Sequence, residues 1–248
     1  MLTIKNLTKS YGQKRAVDNL SLHIAPGEIF GFIGHNGAGK TTTLKCVVGI
    51  LSFEAGEICI DGLDVRTNAL ECKRRLAYIP DNPDLYDFMS GLKYLNFIAD
   101  IFGVSLQDRT SRIEKYAELF ELSADLDKPI SSYSHGMKQK LAIIAAWVHQ
   151  PRLIIMDEPF VGLDPKASHI LKGMMRSFCD AGGAIFFSTH VLEVAEKLCD
   201  KVAIIKGGKL IRCGTMDEVK GDESLEEVFL DLVDENAGNS NSGEASRE

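Results

Sequence analysis

The chain has 248 residues, of which 45% are hydrophobic and 25% are charged, the balance of an ordinary globular protein that needs no disulfide staple. Its formal net charge is −7, but residues 217–248 hold 11 acidic and 2 basic residues, so the acidity belongs to the C-terminal end. The nearly neutral remainder gives little support for a nucleic-acid partner, and the longest apolar run, residues 141–148, is too short to span a membrane.

The N-terminus and the cysteines indicate the compartment. Residues 1–4 open directly into a strand-like pattern, without the basic and apolar leader of a secreted protein, so we expect the protein to stay in the cytoplasm. The cysteines show no Cys-x-x-Cys pair and no spacing typical of a metal site. We therefore expect small core residues in a reducing compartment at Cys46, Cys59, Cys72, Cys179, Cys199 and Cys213.

The N-terminal third predicts short strands separated by turns. Strands are predicted at 2–7, 16–24, 28–33, 57–60 and 76–79, with a helix at 40–49 after a glycine-rich loop. The nearly continuous apolar run at 28–33 is typical of a strand that is buried on both faces of a parallel sheet.

The middle of the chain changes to helical periodicity. Residues 85–150 contain no convincing strand, which predicts a helical insertion in an α/β core. Beyond it, Asp164-Pro165 marks a helix start and Gly207-Gly208 marks a hairpin. Strands are predicted at 153–156, 184–188, 201–206 and 209–213, and helices at 166–179 and 225–233. The last dozen residues are expected to be disordered.

Residues 34–41 match the phosphate-binding pattern G-x-x-x-x-G-K-[ST], between a buried strand and a helix. The glycines let successive backbone N–H groups face a polyphosphate, and the helix start adds a positive end. We expect Lys40 to reach the β- and γ-phosphates, the Thr41 hydroxyl to ligate Mg²⁺, and Thr42 to contact an α-phosphate oxygen. The candidate nucleotide-binding residues of this loop are Asn36, Gly37, Ala38, Gly39, Lys40, Thr41 and Thr42.

Two carboxylates follow the predicted strand at 153–156. Asp157 is placed to hold Mg²⁺ through water, and Glu158 is placed to polarise an attacking water. The alternative is a strand that simply ends in a polar turn. In residues 133–139, Ser134 is a candidate N-cap and Gly136 allows a ligand to approach the backbone closely, although spacing alone favours ordinary helix capping.

Four motifs occur in a characteristic order. The glycine-rich loop is followed by residues 133–139, by Asp157-Glu158-Pro159 and by Ser188-Thr189-His190. Together they resemble the nucleotide-binding subunit of ATP-binding cassette (ABC) transporters, over residues 2–219. The resemblance implies an α/β P-loop NTPase core with a mostly parallel sheet, an N-terminal antiparallel β subdomain and an inserted α-helical subdomain. The implied division is a core with the β subdomain at 1–84, helices at 85–150, the rest of the core at 151–220, and an acidic helix and tail at 221–248.

The resemblance also implies residue roles. Tyr11 matches the aromatic residue that stacks on adenine, unless it is a core tyrosine. Glu158 matches the catalytic carboxylate, Asp157 the carboxylate on the Mg²⁺ side, and His190 the switch histidine at the γ-phosphate. Residues 160–164 match the loop that crosses between two cassettes.

Such cassettes work as head-to-tail pairs that sandwich two ATP molecules. The resemblance implies that Ser134 and Gly136 close the partner's ATP site, and that the partner is a second nucleotide-binding subunit, identical or different. It further implies ATP and Mg²⁺ as cofactors, a separate transmembrane permease, a place on the inner face of the cell membrane, and no nucleic-acid partner. The pattern at 224–229 is similar to that of bacterial multidrug or peptide-export (ABC-2-like) ATPases.

Two segments depart from the family pattern, and a third corresponds to the region where relatives contact the permease. In residues 133–139, which match the family's signature segment, His135 replaces a glycine and Met137 a glutamine. Asp81 stands where the family commonly has a glutamine, and our hypothesis is that it ligates Mg²⁺ there. Residues 84–89 lie where relatives dock a helix of the permease. Apolar side chains that suit such docking, or alternatively a place in the helical core, are Leu85, Tyr86, Phe88 and Met89.

Other classes are less well supported. A soluble ABC protein of translation or DNA repair usually has two cassettes or a long coiled coil, and this chain has one cassette and no sustained heptads. A GTPase would need an Asn-Lys-x-Asp guanine reader, which is absent from the sequence. A catalytically inactive regulator is disfavoured by Glu158 and His190.

Overall fold

The computed structural model describes residues 1–238 and contains two β-sheets and two groups of helices. The strands are β1 (Leu2–Tyr11), β2 (Lys14–Ile24), β3 (Ile29–Ile33), β4 (Ala55–Ile60), β5 (Leu63–Asp64), β6 (Leu76–Ile79), β7 (Leu153–Asp157), β8 (Ala184–Thr189), β9 (Lys201–Lys206) and β10 (Lys209–Thr215). The helices are α1 (Lys40–Val47), α2 (Ala69–Arg75), α3 (Gly91–Ile101), α4 (Leu106–Leu119), α5 (His135–Val148), α6 (Pro165–Asp180), α7 (Leu192–Leu198), α8 (Met216–Lys220) and α9 (Leu225–Gly238).

The larger sheet has the strand order β10-β9-β3-β8-β7-β6. All neighbours are parallel except β10, which pairs with β9 as an antiparallel edge hairpin. The smaller sheet, β2-β1-β4-β5, is antiparallel throughout. The predicted α/β class with a mostly parallel sheet is therefore confirmed.

The central strands β3, β7 and β8 are buried at every position and are apolar except at the carboxyl ends of β7 and β8, so the larger sheet is covered on both faces. In β3, Ile29 and Ile33 belong to one core, while Phe30 and Phe32 belong to the other. The first core is closed by α3–α6 and the second by α1 and the smaller sheet. This three-layer arrangement explains why these strands have no polar alternation.

The helices between β6 and β7 pack through apolar stripes, which the sequence predicted from their periodicity. Leu95, Ala99, Ile113 and Ala117 are buried against α5, whose residues 141–148 are all buried. Each helix start is capped by a side chain that accepts a backbone N–H: Ser90 on α3, Ser105 on α4 and Ser134 on α5. Asp164 caps α6, with Pro165 in its first turn, as predicted.

Some predicted elements differ from the structure. Strand β5 and helices α2, α7 and α8 were not predicted, because two to seven residues are too few to show a period. The last helix runs to Gly238, so 237 and 238 are helical rather than disordered, and the remainder of the predicted disordered end lies outside the described residues.

The cysteines are free thiols in the structure. Cys46, Cys72, Cys179 and Cys199 are buried as expected. The expectation is wrong for Cys213, which is exposed because it lies on the edge strand β10. Between residues 1 and 238, no helix combines the length and the apolar character that crossing a membrane requires.

Candidate active site

An open cavity of about 480 Å³ lies at the carboxyl ends of β3 and β7. It brings together most of the predicted site residues and adds Lys14, Ala16 and His35, which the sequence analysis did not single out. The predicted residues that line it are Tyr11, Asn36, Gly37, Gly39, Lys40, Thr41, Thr42, Asp81, Asp157 and Glu158. Ala38 is buried behind the loop, and Ser134, Gly136 and His190 are not among the lining residues.

The glycine-rich loop is wedged between two strands, which explains its composition. Gly39 has φ of 111°, and a Cβ atom there would lie 2.3 Å from the Ala16 carbonyl oxygen of β2. A Cβ atom on Gly34 would lie 2.5 Å from the Ile205 carbonyl oxygen of β9. Only glycine fits both places, so the loop curls tightly and α1 begins at Lys40 with its N-terminus towards the cavity.

Lys40 is buried and its ammonium group is held inside the loop. Its Nζ donates to the Gly34 carbonyl oxygen at 2.6 Å and lies 3.5 Å from Glu158 Oε1. The charge is thus fixed where the loop's N–H groups converge, and it is positioned to bind an anion as a point charge. Thr41 and Thr42 follow at the helix start, and the Thr41 side chain is exposed to the cavity.

Ser188, at the end of β8, organises both carboxylates. Its hydroxyl donates to Asp157 Oδ1 at 2.5 Å, and its Oγ and carbonyl oxygen both lie 3.2 Å from the Glu158 backbone nitrogen. In the sequence, Ser188 is recognisable only as the first residue of the motif Ser188-Thr189-His190. Its role could have been inferred from the parallel pairing of β7 and β8, which places it beside Asp157.

Glu158 is bound on one carboxylate oxygen and left without a hydrogen bond on the other. Oε2 lies 3.0 Å from His190 Nδ1 and accepts from the His190 backbone N–H at 3.3 Å. Oε1 is buried and has no hydrogen-bond partner among the described residues, although Lys40 Nζ is 3.5 Å away. The structure therefore places His190 beside Glu158, at the margin of the cavity.

Asp81 faces the same two carboxylates across the cavity. Partial burial raises the pKa of its carboxyl group, and the negative charges of Asp157 and Glu158 raise it further. Among the described residues, no three His, Cys, Asp or Glu side chains converge closely enough to form a closed metal cage. The carboxylates of Asp81, Asp157 and Glu158 thus line one open cavity, from which a ligand can reach them.

The start of α5 faces the loop 159–164 of its own chain. A Cβ atom on Gly136 would lie 2.7 Å from the Gly162 carbonyl oxygen, and a Cβ atom on Gly162 would lie 2.4 Å from His135 Cδ2. Lys140 pairs with Asp164 at 2.8 Å and lowers the pKa of that carboxyl group. Ser134 is exposed at the open end of this helix.

A phosphate loop between a strand and a helix, beside carboxylates at the end of a parallel strand, defines a P-loop nucleotide-binding protein. The sequence model described as "ABC transporter" matches residues 17–161, more than half of the chain. The chain belongs to the ABC transporter family, as one of its ATP-binding, ATP-hydrolysing subunits.

Individual relatives cover nearly the whole chain. EcsA of Bacillus subtilis (strain 168), an ABC-type transporter ATP-binding protein, is 32% identical over 96% of this chain and 98% of its own. Nod factor export ATP-binding protein I of Cupriavidus metallidurans is 34% identical over 94% of this chain and 78% of its own. A solved structure of an ATP binding subunit of an ABC transporter is similar with a TM-score of 0.91 at 33% identity, covering 94% of this chain and 99% of that chain.

Proposed function

We propose that this subunit hydrolyses MgATP at an interface between two nucleotide-binding subunits and thereby drives a separate membrane permease. The observation that carries the proposal is the state of Glu158. One of its carboxylate oxygens is held by His190, and the other is buried, without a hydrogen bond and close to Lys40. In the nucleotide-bound site, that second oxygen would accept a hydrogen bond from the attacking water molecule.

The donors around the cavity fit Mg²⁺. The Thr41 hydroxyl and the Asp157 and Asp81 carboxylates are hard oxygen ligands, and they form an open set that leaves coordination positions to phosphate oxygens and water. Such sparse protein ligation is usual for Mg²⁺ bound together with a nucleotide. When bound, Mg²⁺ would neutralise charge on the β- and γ-phosphates.

The remaining groups have complementary tasks in hydrolysis. Lys40 and the N–H groups of 36–40 bind the β- and γ-phosphates, while Tyr11 stacks on the adenine ring from the rim of the cavity. Glu158 Oε1 orients a water molecule for in-line attack on the γ-phosphorus and accepts its proton. His190 holds Glu158 through Oε2 and reaches the γ-phosphate from the same side.

In the proposed pair, each subunit would contact the ATP of the other through the start of α5. Ser134 and Gly136 do not line the cavity of their own chain, yet Ser134 is exposed at a helix N-terminus that favours an anion. In a head-to-tail pair this helix end would meet the γ-phosphate bound by the other subunit. Whether that subunit is an identical or a different chain, ATP would be shared by both halves, and its hydrolysis would release them.

The permease would dock on the exposed aromatic cluster formed by Tyr86, Phe88 and Phe97. Phe88 is 82% exposed and Tyr86 47%, and their ring centroids are 5.8 Å apart. Tyr86 also contacts Phe97, with centroids 5.7 Å apart. Such a surface suits an amphipathic helix of a membrane protein. Leu85 and Met89 instead pack against the core, so the core alternative holds for these two residues, and the docking proposal is restricted to the exposed side chains.

We propose export as the direction of transport and the inner face of the cell membrane as the location. The support is the Nod factor export relative together with the pattern Ser224-Leu225-Glu226-Glu227-Val228-Phe229. We place the subunit on the cytoplasmic side because the MgATP that it is proposed to hydrolyse is present in the cytoplasm.

Glu158→Gln tests the proposal. It keeps the shape of the side chain but removes the base, so we expect unchanged ATP affinity, about 100-fold or greater loss of turnover, and an ATP-dependent dimer that accumulates. Steady-state hydrolysis, calorimetry and light scattering measure the three quantities. The matched control is Glu193→Gln, an exposed carboxylate on α7, which should hydrolyse ATP normally. Turnover of Glu158→Gln at the parent rate would refute the catalytic assignment.

A further inference from the structure

The C-terminal helix α9 reaches the phosphate loop. The ring centroids of Phe229 on α9 and His35 in the loop are 4.8 Å apart, with an angle of 58° between the planes. This lies within the range of favourable aromatic pairs. Phe229 is only 7% exposed, whereas His35 is an exposed residue that lines the nucleotide cavity.

The same helix is fixed to the segment that follows His190. Glu196 on α7 pairs with Lys220 at 2.5 Å and accepts the Leu225 backbone N–H at 3.3 Å. Leu225 and Val228 are buried in the core beside α7. Helix α9 is therefore anchored independently of the phosphate loop, and Phe229 is held where it meets His35.

His35 is connected to the loop's binding geometry through its carbonyl oxygen. That oxygen accepts the Ala38 backbone N–H at 3.1 Å and lies 3.4 Å from Lys40 Nζ. A change in the backbone torsions of His35 would therefore disturb both the curl of the loop and the position of the Lys40 ammonium group. The contact with Phe229 holds the His35 ring and thereby restricts such a change.

We propose that Phe229 is a positioning residue of the nucleotide site, holding His35 and with it the phosphate loop in the conformation that receives the nucleotide. The inference rests on the proposed phosphate-binding role of 34–42. If Phe229 has this role, α9 contributes to the nucleotide site although it lies outside residues 17–161, the segment that matches the family. The contact joins residues at opposite ends of the chain, so no local sequence pattern predicts it.

Replacement of Phe229 tests the inference by calorimetric binding of a non-hydrolysable ATP analogue with Mg²⁺. Phe229→Leu keeps apolar volume and loses the ring, and we expect affinity to fall about 3- to 10-fold, the strength of one aromatic pair. Phe229→Tyr keeps the ring and should bind as the parent does. Val219→Ala is the matched control, since this side chain on the preceding helix α8 is 1% exposed and packs in the same core. It should lower the melting temperature and leave affinity unchanged.

A double-mutant cycle separates positioning from general packing. His35→Ala should weaken binding by a similar factor, and adding Phe229→Leu to it should cause no further loss. Parent-like affinity of Phe229→Leu, or losses that multiply in the double variant, would overturn the inference. Failure of the proposed site is distinguishable, because then the parent would not bind the analogue or Lys40→Ala would bind it equally well.

Discussion

Glu158 lies in the left-handed region of backbone space, with φ of 47°. A residue with a side chain adopts this conformation at a cost of about 1–2 kcal/mol. The turn follows directly from β7 and aims the carboxylate back at Lys40 and His190. Ser188 stabilises the turn by accepting the Glu158 N–H, so a small buried side chain helps to set the direction of the proposed catalytic carboxylate.

Ser188→Ala should expose this dependence. The substitution removes the hydrogen bond to Asp157 and one of the two acceptors for the Glu158 N–H, and a bond to a charged group contributes about 1.5–3 kcal/mol. We expect a lower unfolding free energy by about 2 kcal/mol and a lower kcat with a smaller change in ATP affinity. Urea unfolding and steady-state kinetics measure both. Ser177→Ala on α6 is an exposed control, and equal effects of the two variants would contradict the argument.

Asp81→Asn should have opposite effects on stability and on activity. The raised pKa means that the folded protein holds the Asp81 proton more tightly than the unfolded chain, so stability falls as the pH rises through that pKa. In Mg²⁺-free buffer the variant should melt at a higher temperature than the parent at pH 7, and the gain should vanish near about pH 3.

In hydrolysis the same variant should need more Mg²⁺ for half-maximal rate, because a neutral amide ligates a hard cation less strongly than a carboxylate does. Asp84→Asn, an exposed carboxylate in the same loop, is the control for both measurements. An unchanged Mg²⁺ requirement would leave Asp81 without a role at the metal.

The first turn of α5 and the loop 159–164 form one packed unit. Gly136 approaches the Gly162 carbonyl oxygen, Gln139 Nε2 donates to the Pro159 carbonyl oxygen at 3.4 Å, and Lys140 pairs with Asp164. These contacts join the helix proposed to meet the second subunit's ATP to the loop that follows Glu158. A movement of either segment is therefore transmitted to the other.

Gly136→Ala and Gly173→Ala should change the stability of the folded protein in opposite directions, although both replace a glycine in a helix. The Cβ atom at 136 would lie 2.7 Å from a backbone oxygen that cannot move cheaply, whereas a Cβ atom at 173 meets nothing within 4 Å. We expect Gly136→Ala to lower stability and hydrolysis, and Gly173→Ala to raise stability by about 1 kcal/mol through helix propensity. Chemical denaturation and ATPase assays distinguish them, and similar behaviour of the two would refute the packing argument.

The elements differ in how far the sequence predicts them. The phosphate loop, the caps Ser134 and Asp164 and the buried strands are local patterns, and each lies where the sequence predicts it. The short elements β5, α2, α7 and α8 lack a readable period. The ring contact of His35 with Phe229 and the organising role of Ser188 depend on strands and helices brought together from distant parts of the chain. The site residues are thus predictable as a set, but their mutual contacts are not.

The molecule presents separate surfaces to its proposed partners. In the proposed function, the cavity would bind the nucleotide, the start of α5 would contact the second subunit, and the exposed aromatic cluster would contact the permease. The acidic C-terminal end carries more negative charge than the chain as a whole, with 11 acidic and 2 basic residues at 217–248 against a net charge of −7, and it lies outside the predicted ATP-handling motifs. The net charge of the chain therefore reflects its C-terminal end and gives little information about the charge of the nucleotide cavity.

Phe88→Ser should separate coupling from hydrolysis. The side chain is 82% exposed, so its loss costs the isolated subunit little, and basal ATPase activity and melting temperature should be unchanged. Co-purification with the permease subunit from membranes of the native cell should fall. Leu106→Ser removes an equally exposed apolar group from α4 and is the control. Undiminished recovery of the membrane protein with Phe88→Ser would exclude the aromatic cluster as the docking surface.

The position of β3 has a consequence for synthesis of the chain on the ribosome. This strand carries the phosphate loop, and its only neighbours in the described sheet are β8 and β9, which are translated more than a hundred residues later. The nascent chain thus exposes an apolar strand and an unsupported loop until those two strands emerge. Nucleotide binding would therefore be acquired only after β8 and β9 have been translated, and a chain interrupted before them would lack the sheet that supports the phosphate loop.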